Sequence, residues 1–153
     1  MSDMLQTTVD KFTFRVPTDR LFSPEGVWAL WLQEQTDGRV RIGLTDYLQQ
    51  HSGDVAFAEG KPVGTRVKAG DEVGMIETVK VNLSLSSPVE GTVVEVNPLL
   101  ETTPEVINQD PYGKGWLVVI EVADWDAQKA RLLDPDAYFA HMKEQAEEEV
   151  KTL

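Results

Sequence analysis

The centre of the chain restricts its fold most. From Gly60 to Val96, glycines and prolines at 60, 62, 64, 70, 74, 88 and 91 punctuate the apolar runs at both ends of the segment. Helices do not survive punctuation of this density, and the intervening runs have the length and composition of strands. Within the segment lies a faint internal repeat: Gly64-Thr65-Arg66-Val67-Lys68-Ala69-Gly70-Asp71 is matched twenty-seven positions later by Gly91-Thr92-Val93-Val94-Glu95-Val96-Asn97-Pro98. The match is limited to Gly-Thr, one valine and a closing turn pair. Two similar β units about a central segment imply a sandwich with quasi-two-fold symmetry. Lys80 falls near the middle of that segment.

The flanks extend the same pattern. Lys11 to Val16 alternates as a first strand, with Phe12, Phe14 and Val16 on one face. Pro17 to Gly26 is turn-rich, and Val27 to Gln33 is a strand candidate. Thr36-Asp37-Gly38 reads as a hairpin turn into Arg39–Leu44. Thr45 has the character of an N-cap for a short helix through His51, stopped by Gly53, and Asp54 to Ala58 returns to strand. After a strand at Leu117–Val122, Trp125 to Leu132 is helical in pattern and Pro135 fits the start of a further helix. Tyr138, Phe139 and Met142 stand at helical spacing and are expected to dock on the body. The acidic run from Gln145 to Lys151 is expected to be a solvated, fraying tail.

Composition narrows the chemistry. The 153 residues suit one compact domain, and 41 % hydrophobic residues are enough for a core. A net charge of −12 repels phosphate backbones and anionic lipid, so nucleic acid and membranes are poor partners. No run approaches the roughly 18 apolar residues of a membrane span. The segment Met1-Ser2-Asp3-Met4-Leu5-Gln6 lacks the pattern of a signal peptide, so the expected location is cytoplasmic. Cysteine is absent, which removes disulfides, thiolate nucleophiles and Cys-based metal sites. The two histidines, His51 and His141, are far apart in sequence and make a metal centre improbable. No nucleophile-elbow pattern surrounds any serine, and no catalytic residue is assigned.

Periodicity alone leaves Lys80 ambiguous. Met75 to Leu85 can be read as one long strand with Val79, Val81, Leu83 and Leu85 facing inward and Lys80 an ordinary surface lysine. The motif around it is more specific. Glu77-Thr78-Val79-Lys80 is similar to the Glu-Ser-Val-Lys that carries lipoate in glycine cleavage H proteins, and approaches the Glu-Thr-Asp-Lys of lipoyl domains in 2-oxo acid dehydrogenases. Biotin carriers flank their lysine with methionine, whereas Val79 and Val81 stand here. Ile42-Gly43-Leu44-Thr45-Asp46-Tyr47 resembles the Val-Gly-Ile-Thr-Asp-Tyr of H proteins, and Gly53-Asp54-Val55 their Gly-Asp-Val. Ser87-Pro88-Val89-Glu90-Gly91, then Val94-Glu95-Val96-Asn97, resemble their Ser-Pro-Val-Ser-Gly and Val-Glu-Val-Asn. Asp110-Pro111-Tyr112-Gly113-Lys114-Gly115-Trp116-Leu117 is similar to their Pro-Tyr-Gly-x-Gly-Trp. The ordered matches run from about Phe22 to Tyr138.

The resemblance implies a mainly β, lipoyl-domain hybrid β-sandwich (a barrel-sandwich hybrid) with a short helix after the second hairpin and C-terminal helices. It implies an N-terminal extension over residues 1–10, a lipoyl-carrier β domain over 11–122 and a helical segment over 123–153. Lys80 would stand at the tip of a β-hairpin, breaking the apparent long strand, and carry lipoate in amide linkage. Glu77 would aid recognition by the lipoylating enzyme, although it reads equally well as a solvated strand carboxylate. His51 would contact the arm, although a lone histidine beside a glycine turn is more often a surface residue. The protein would be a non-catalytic carrier of glycine catabolism. It would take an aminomethyl group from a pyridoxal-phosphate glycine decarboxylase to an aminomethyltransferase, with dihydrolipoyl dehydrogenase restoring the disulfide. A lipoate ligase or lipoyltransferase would load it.

One stretch departs from the pattern. H proteins carry His-Glu-Trp after their first strand, and the acidic residue helps hold the aminomethylated arm in a cleft. Here the run is Gly26-Val27-Trp28, and Glu25, two positions before Val27, need not reach the cleft. Two alternatives therefore stay open from sequence: a divergent H-like lipoate-binding protein carrying sulfur intermediates, and an unmodified interaction module of the same fold.

Overall fold

The computed structural model describes residues 3–32 and 38–152. Eleven strands are found among them: β1 (Met4–Val9), β2 (Phe12–Pro17), β3 (Leu21–Phe22), β4 (Val27–Trp31), β5 (Arg39–Leu44), β6 (Val55–Gly60), β7 (Arg66–Val67), β8 (Glu72–Thr78), β9 (Asn82–Ser86), β10 (Gly91–Val96) and β11 (Val118–Glu121). Helices α1 (Asp46–Ser52), α2 (Leu99–Thr102), α3 (Val106–Gln109), α4 (Trp125–Lys129) and α5 (Pro135–Thr152) complete the described fold. Six strands form one sheet in the order β3-β4-β5-β11-β10-β7, and three form a second in the order β6-β8-β9. Their inner faces supply one core, in which Val40, Ile42, Leu44, Val73, Ile76, Val93 and Ile120 are fully enclosed. Each such side chain stabilises the fold by about 1.5–3 kcal/mol relative to exposure. This is the hybrid β-sandwich expected from the motifs.

The internal repeat has a direct structural meaning. β7 pairs antiparallel with β10, Val67 facing Gly91 and Arg66 facing Thr92, so the two similar units meet each other across the sheet. Of the expected elements, β5 and the capped α1 match closely: Thr45 Oγ1 accepts from the Leu48 amide, and Gly53 ends the helix at φ 93°. The expected turn at Thr36-Asp37-Gly38 lies outside the described residues except for Gly38, as does the end of the strand candidate at Gln33.

Two motifs find their reasons in close packing. A Cβ on Gly43 would fall 2.4 Å from the Trp28 ring. The indole lies flat against this glycine while its Nε1 donates to the carbonyls of Leu44 and Pro111, at 2.9 and 3.0 Å. Asn97 Nδ2 donates to the carbonyls of Lys114 and Trp116, at 2.8 and 2.7 Å, fastening the Gly-x-Gly-Trp turn to the end of β10.

The ends of the chain differ most from the sequence expectation. Residues 4–9, expected as part of an extension, form β1 and pair with β2 through a turn at Asp10-Lys11. This hairpin packs on α1 and α5 in a second core of Val9, Phe14, Val16, Phe22, Tyr47, Tyr138, Met142 and Ala146. Tyr138 and Met142 dock as their spacing implies. The run from Gln145 to Lys151 is not a fraying tail, because α5 continues through it to Thr152. Ala146 and Val150 extend the Tyr138–Met142 stripe by two further helical steps, and burial of that stripe holds the acidic end in place. Arg15 N donates to Asp46 Oδ2 at 3.0 Å, tying the hairpin to the first turn of α1.

Candidate functional site

The apparent long strand breaks where the lysine stands. β8 and β9 pair antiparallel from Glu72–Ser86 to Glu77–Asn82, and the Thr78 amide closes the tip by donating to the Val81 carbonyl at 2.8 Å. Thr78 Oγ1 accepts from the amides of Lys80 and Val81, at 3.1 and 3.0 Å, and donates to the Ser52 carbonyl at 2.7 Å. One hydroxyl thus shapes the turn and fixes it to the end of α1. Threonine in Glu77-Thr78-Val79-Lys80 is therefore a structural part of the lysine's presentation. Val79 is 94 % exposed and Val81 42 % exposed, so the inward orientation that strict alternation assigns them is wrong beyond the break. Leu83 is half-buried and Leu85 buried, as that alternation has them.

Lys80 is exposed, and its Nζ donates to the His51 carbonyl at 3.0 Å. Its stem passes over Gly53, where a Cβ would meet Lys80 Cδ at 3.2 Å; the positive φ of Gly53 also disfavours any side chain there. The amine therefore rests on the C-terminal end of α1, whose residue His51 lines a cleft of about 770 Å³. One wall is α1, through Tyr47, Leu48, His51 and Ser52. Val81, Asn82 and Leu83 of the lysine hairpin form a second. The opposite wall is α5, through His141, Glu144, Gln145, Glu148 and Glu149, and Glu25 closes the rim. Leu48, Val81 and Leu83 give the interior an apolar surface of the kind an aliphatic chain requires.

The polar groups of the cleft are strongly one-sided. Among the described residues, four carboxylates line it, against two histidines and no lysine or arginine. Glu149 pairs with His51 Nδ1 at 3.0 Å and accepts a short hydrogen bond from the Tyr47 hydroxyl. Burial, then the Glu149 hydrogen bond and charge, push the Tyr47 phenol above its ordinary range, so it remains a donor. His51 stacks on Tyr47, with ring centroids 5.8 Å apart. His141 Nε2 lies 3.1 Å from the Pro24 carbonyl and links α5 to the loop that carries Glu25. Among the described residues, no group of histidine, aspartate and glutamate side chains is arranged to hold a metal ion.

Of the residues singled out in the sequence, Lys80 and His51 come together through the Nζ–carbonyl bond, and His51 lines this cleft. Glu77 stands two positions before the tip turn, exposed on β8 opposite Asn82, outside the cleft lining. Val27 is 1 % exposed within the main core, so its position offers the cleft nothing. Glu25, two residues earlier, does line the cleft, contrary to the doubt that its offset raised. Sequence reasoning missed the α5 residues. A signal was available: His141, Glu144, Gln145 and Glu148 fall on one helical face beside the Tyr138–Met142 stripe.

The chain is similar to known proteins over most of its length. The family model described as glycine cleavage H-protein matches residues 22–145. A glycine cleavage system H protein from Oceanobacillus iheyensis is 40 % identical over 129 residues, covering 84 % of this chain and 98 % of the relative. One from Carboxydothermus hydrogenoformans is 39 % identical over 133 residues, covering 86 % and 98 %. The crystal structure of a glycine cleavage system H protein from Mycobacterium marinum superposes with a TM-score of 0.70 at 32 % identity, covering 82 % of this chain and 97 % of that one.

Proposed function

Because the chain belongs to the glycine cleavage H-protein family, we propose that it is a lipoate-bearing carrier that shuttles an aminomethyl group between a glycine decarboxylase and an aminomethyltransferase. The observation that carries this reading is the exposed Lys80 on a pinned hairpin tip, with its amine bonded to the carbonyl of His51, a residue that lines an apolar-floored cleft. Lipoate in amide linkage to Lys80 would supply a dithiolane that opens to accept a group and is reoxidised afterwards. The protein supplies attachment, reach and shelter. Tethering turns transfers between separate enzymes into encounters at high local concentration. The acylated Nζ keeps one hydrogen, so the bond to the His51 carbonyl can persist and aim the base of the arm.

In this reading Glu77 is a contact for the lipoate ligase or lipoyltransferase, and its exposed place on the strand leading to the tip suits that role. His51 is an arm contact through its carbonyl and through the Tyr47–Glu149 cluster it joins. Dihydrolipoyl dehydrogenase completes the partner set. The chain is a non-catalytic subunit, and the work is divided between a carrier domain over 11–122 and flanking segments over 1–10 and 123–153 that brace it. The carrier acts in the cytoplasm. No helix among the described residues is long and apolar enough to cross a membrane.

The sulfur-carrier alternative drew its motive from the valine at position 27. With Glu25 lining the cleft, that motive is lost. Intact mass of protein from its native host is expected to show a lipoyl increment that disappears in Lys80→Arg. The lipoylated protein is expected to support glycine–bicarbonate exchange with its decarboxylase. An unmodified lysine in native protein, or a lipoylated sample without exchange, overturns the assignment.

A further inference from the structure

β1 is a sheet edge without the usual protection. Its residues, Met4-Leu5-Gln6-Thr7-Thr8-Val9, include no charge and no proline, in a chain with 14 basic and 26 acidic side chains. The β1–β2 ladder also runs its whole length without a register shift. Edges elsewhere in the described fold are blunted. β3 and β7 are two residues long, and β3 is bridged on its open side to Leu133. β6 packs against α2, and its Val55 amide donates to Asn108 Oδ1 at 2.8 Å. The ladders that join β8 to β6 and to β9 are each interrupted by a register shift. Shortness, cover, irregularity and charge are the devices that stop strand edges from pairing with other chains.

The hydrogen bonds show which side of this hairpin is open. The Thr18 amide donates to the Asp3 carbonyl at 3.0 Å and extends the ladder by one pair. Alternation from that pair turns the backbone groups of Leu5, Thr7 and Val9 toward β2, and those of Met4, Gln6 and Thr8 away from it. On β2 the same alternation turns Thr13, Arg15 and Pro17 outward, and that edge is occupied. Asp46 Oδ2 accepts from the Arg15 amide at 3.0 Å, and the Tyr112 hydroxyl donates to the Arg15 carbonyl at 2.6 Å. Gln50 Nε2 donates to the Thr13 carbonyl at 2.9 Å, and Pro17 has no amide to offer. On β1, the outward backbone groups of Met4, Gln6 and Thr8 have no hydrogen-bond partner among the described residues, and all three residues are exposed. One edge of the hairpin is closed by the body of the protein, and the other is bare.

We propose that β1 pairs antiparallel with β1 of a second copy of this chain, about a two-fold axis at Gln6, and joins the two hairpins into one four-stranded sheet. The open positions are symmetric about Gln6. Gln6 then faces Gln6 of the partner subunit, and Met4 faces the partner's Thr8, each pair exchanging both of its backbone bonds. The nearest charges, Asp3, Asp10 and Lys11, flank the strand at its ends, so two copies of net charge −12 meet there with no carboxylate opposite another. The contact lies on the far side of β2 from α1, which holds Lys80 through the His51 carbonyl, so each copy keeps its lysine hairpin free. The result is a carrier with two independent arms. Residues 4–17 precede the 22–145 that the family model matches, so the property belongs to the added hairpin, and it holds whatever Lys80 carries. One pair of short strands is small beside the roughly 1,200–2,000 Å² of a stable interface, so the dimer forms and dissociates with concentration.

Sedimentation equilibrium of the full chain, from about 10 μM to about 1 mM to span weak association, is expected to show the mass rising from one chain toward two. Over the same range the amides of Gln6 and Thr8 should pass from rapid to slowed hydrogen exchange. Those of Thr7 and Val9, bonded within the hairpin, should stay protected throughout. Gln6→Pro removes an amide that the single chain does not use and the dimer uses twice. It should weaken association about tenfold or more and leave Thr7 and Val9 protected. Charge tests the register independently. Met4→Lys with Thr8→Lys sets lysines opposite each other and should abolish the dimer, whereas Met4→Glu with Thr8→Lys sets opposite charges and should restore it. Within one copy the two positions are about 13 Å apart along the strand, so the single chain is indifferent to either pairing. The proposal is overturned by a chain that stays single throughout the range, by a dimer whose Gln6 and Thr8 amides exchange as fast as in the single chain, by unaltered association of Gln6→Pro, or by charge variants that associate alike.

Discussion

The protein contains two hairpins that end in a lysine. β1 and β2 turn at Asp10-Lys11, and β8 and β9 turn at Val79-Lys80. Both lysines are exposed. The first tip is entered through Asp10 at φ 58°, in the left-handed region, and Lys11 Nζ sits over the Phe12 ring at 5.9 Å. The second is shaped by the Thr78 hydroxyl, fastened to the end of α1, and opens on a cleft. Exposure at a turn is thus common to both, and what separates them is a fixed direction with a receptacle beside it. The first hairpin has a different task, since its inward face packs the helix that forms the far wall of the second hairpin's cleft.

The largest expected effect breaks or secures this contrast. Lys80→Arg should abolish lipoylation completely, while Lys11→Arg should leave the mass increment and the rate of modification unchanged. Any label mapped to Lys11 by peptide mass would mean that turn exposure suffices and that the Thr78 scaffold is incidental.

Next in size is the link between the two regions. Met142 is fully buried between α5 and the first hairpin, and Met142→Ala should cost about 2–5 kcal/mol. Hydrogen exchange should quicken in β1, β2 and the last turns of α5, with β8 and β9 little altered. Lipoylation of Lys80 should persist, because the tip does not depend on α5. Equal loosening of both hairpins would show that they form one cooperative unit.

How much of this was legible in the sequence follows from the range of the forces involved. The capped α1 and β5 were readable, because Thr45, Gly53 and an apolar alternation act within a few residues. The break at Lys80 was not readable from periodicity, since Val79, Val81, Leu83 and Leu85 imitate an unbroken strand. Only resemblance to the lipoyl motif placed it. The Thr78 hydroxyl that makes the break bonds to Ser52, twenty-six residues away. The acidic end of α5 read as solvated tail because its anchors, Ala146 and Val150, meet partners from the opposite end of the chain. The cleft was hidden for the same reason: its walls come from α1, the β8–β9 hairpin and α5, and no local pattern joins them.

Alkaline titration separates the regions by a different route. Tyr47, Tyr112 and Tyr138 all have phenols raised above the ordinary value of 10, chiefly by burial, with Tyr138 pushed up to about 12. All three contact the first hairpin's core or its bonds to α1; Tyr112, for example, donates to the Arg15 carbonyl at 2.6 Å. Between pH 10 and the raised values, the unfolded chain releases phenolic protons that the folded chain keeps. Stability is therefore full below pH 10 and falls as pH rises through that window. Tyrosinate absorbance should lag behind that of free tyrosine, and exchange in β1, β2 and α5 should rise before exchange in β8 and β9. Simultaneous loss in both hairpins would contradict the separation.

The smallest expected differences lie at the tips themselves. Thr78→Val removes a hydroxyl that accepts from two turn amides and donates to the Ser52 carbonyl, and should cost about 1–2 kcal/mol, since the turn is partly open to water. Its larger consequence is directional. A tip free to pivot presents the lysine in many poses, so the rate of lipoylation should fall further than stability does. At the other tip, Asp10→Gly relieves left-handed strain of about 1 kcal/mol, but adds about 0.4–1 kcal/mol of freedom to the unfolded chain. The two should nearly cancel, leaving the denaturant midpoint unchanged. A hairpin whose function is to pack a helix tolerates a redesigned turn, whereas one that aims a side chain does not. If Thr78→Val proved as silent as Asp10→Gly in both stability and lipoylation rate, the lysine's direction would have to come from elsewhere, and its bond to the His51 carbonyl would be the next contact to remove.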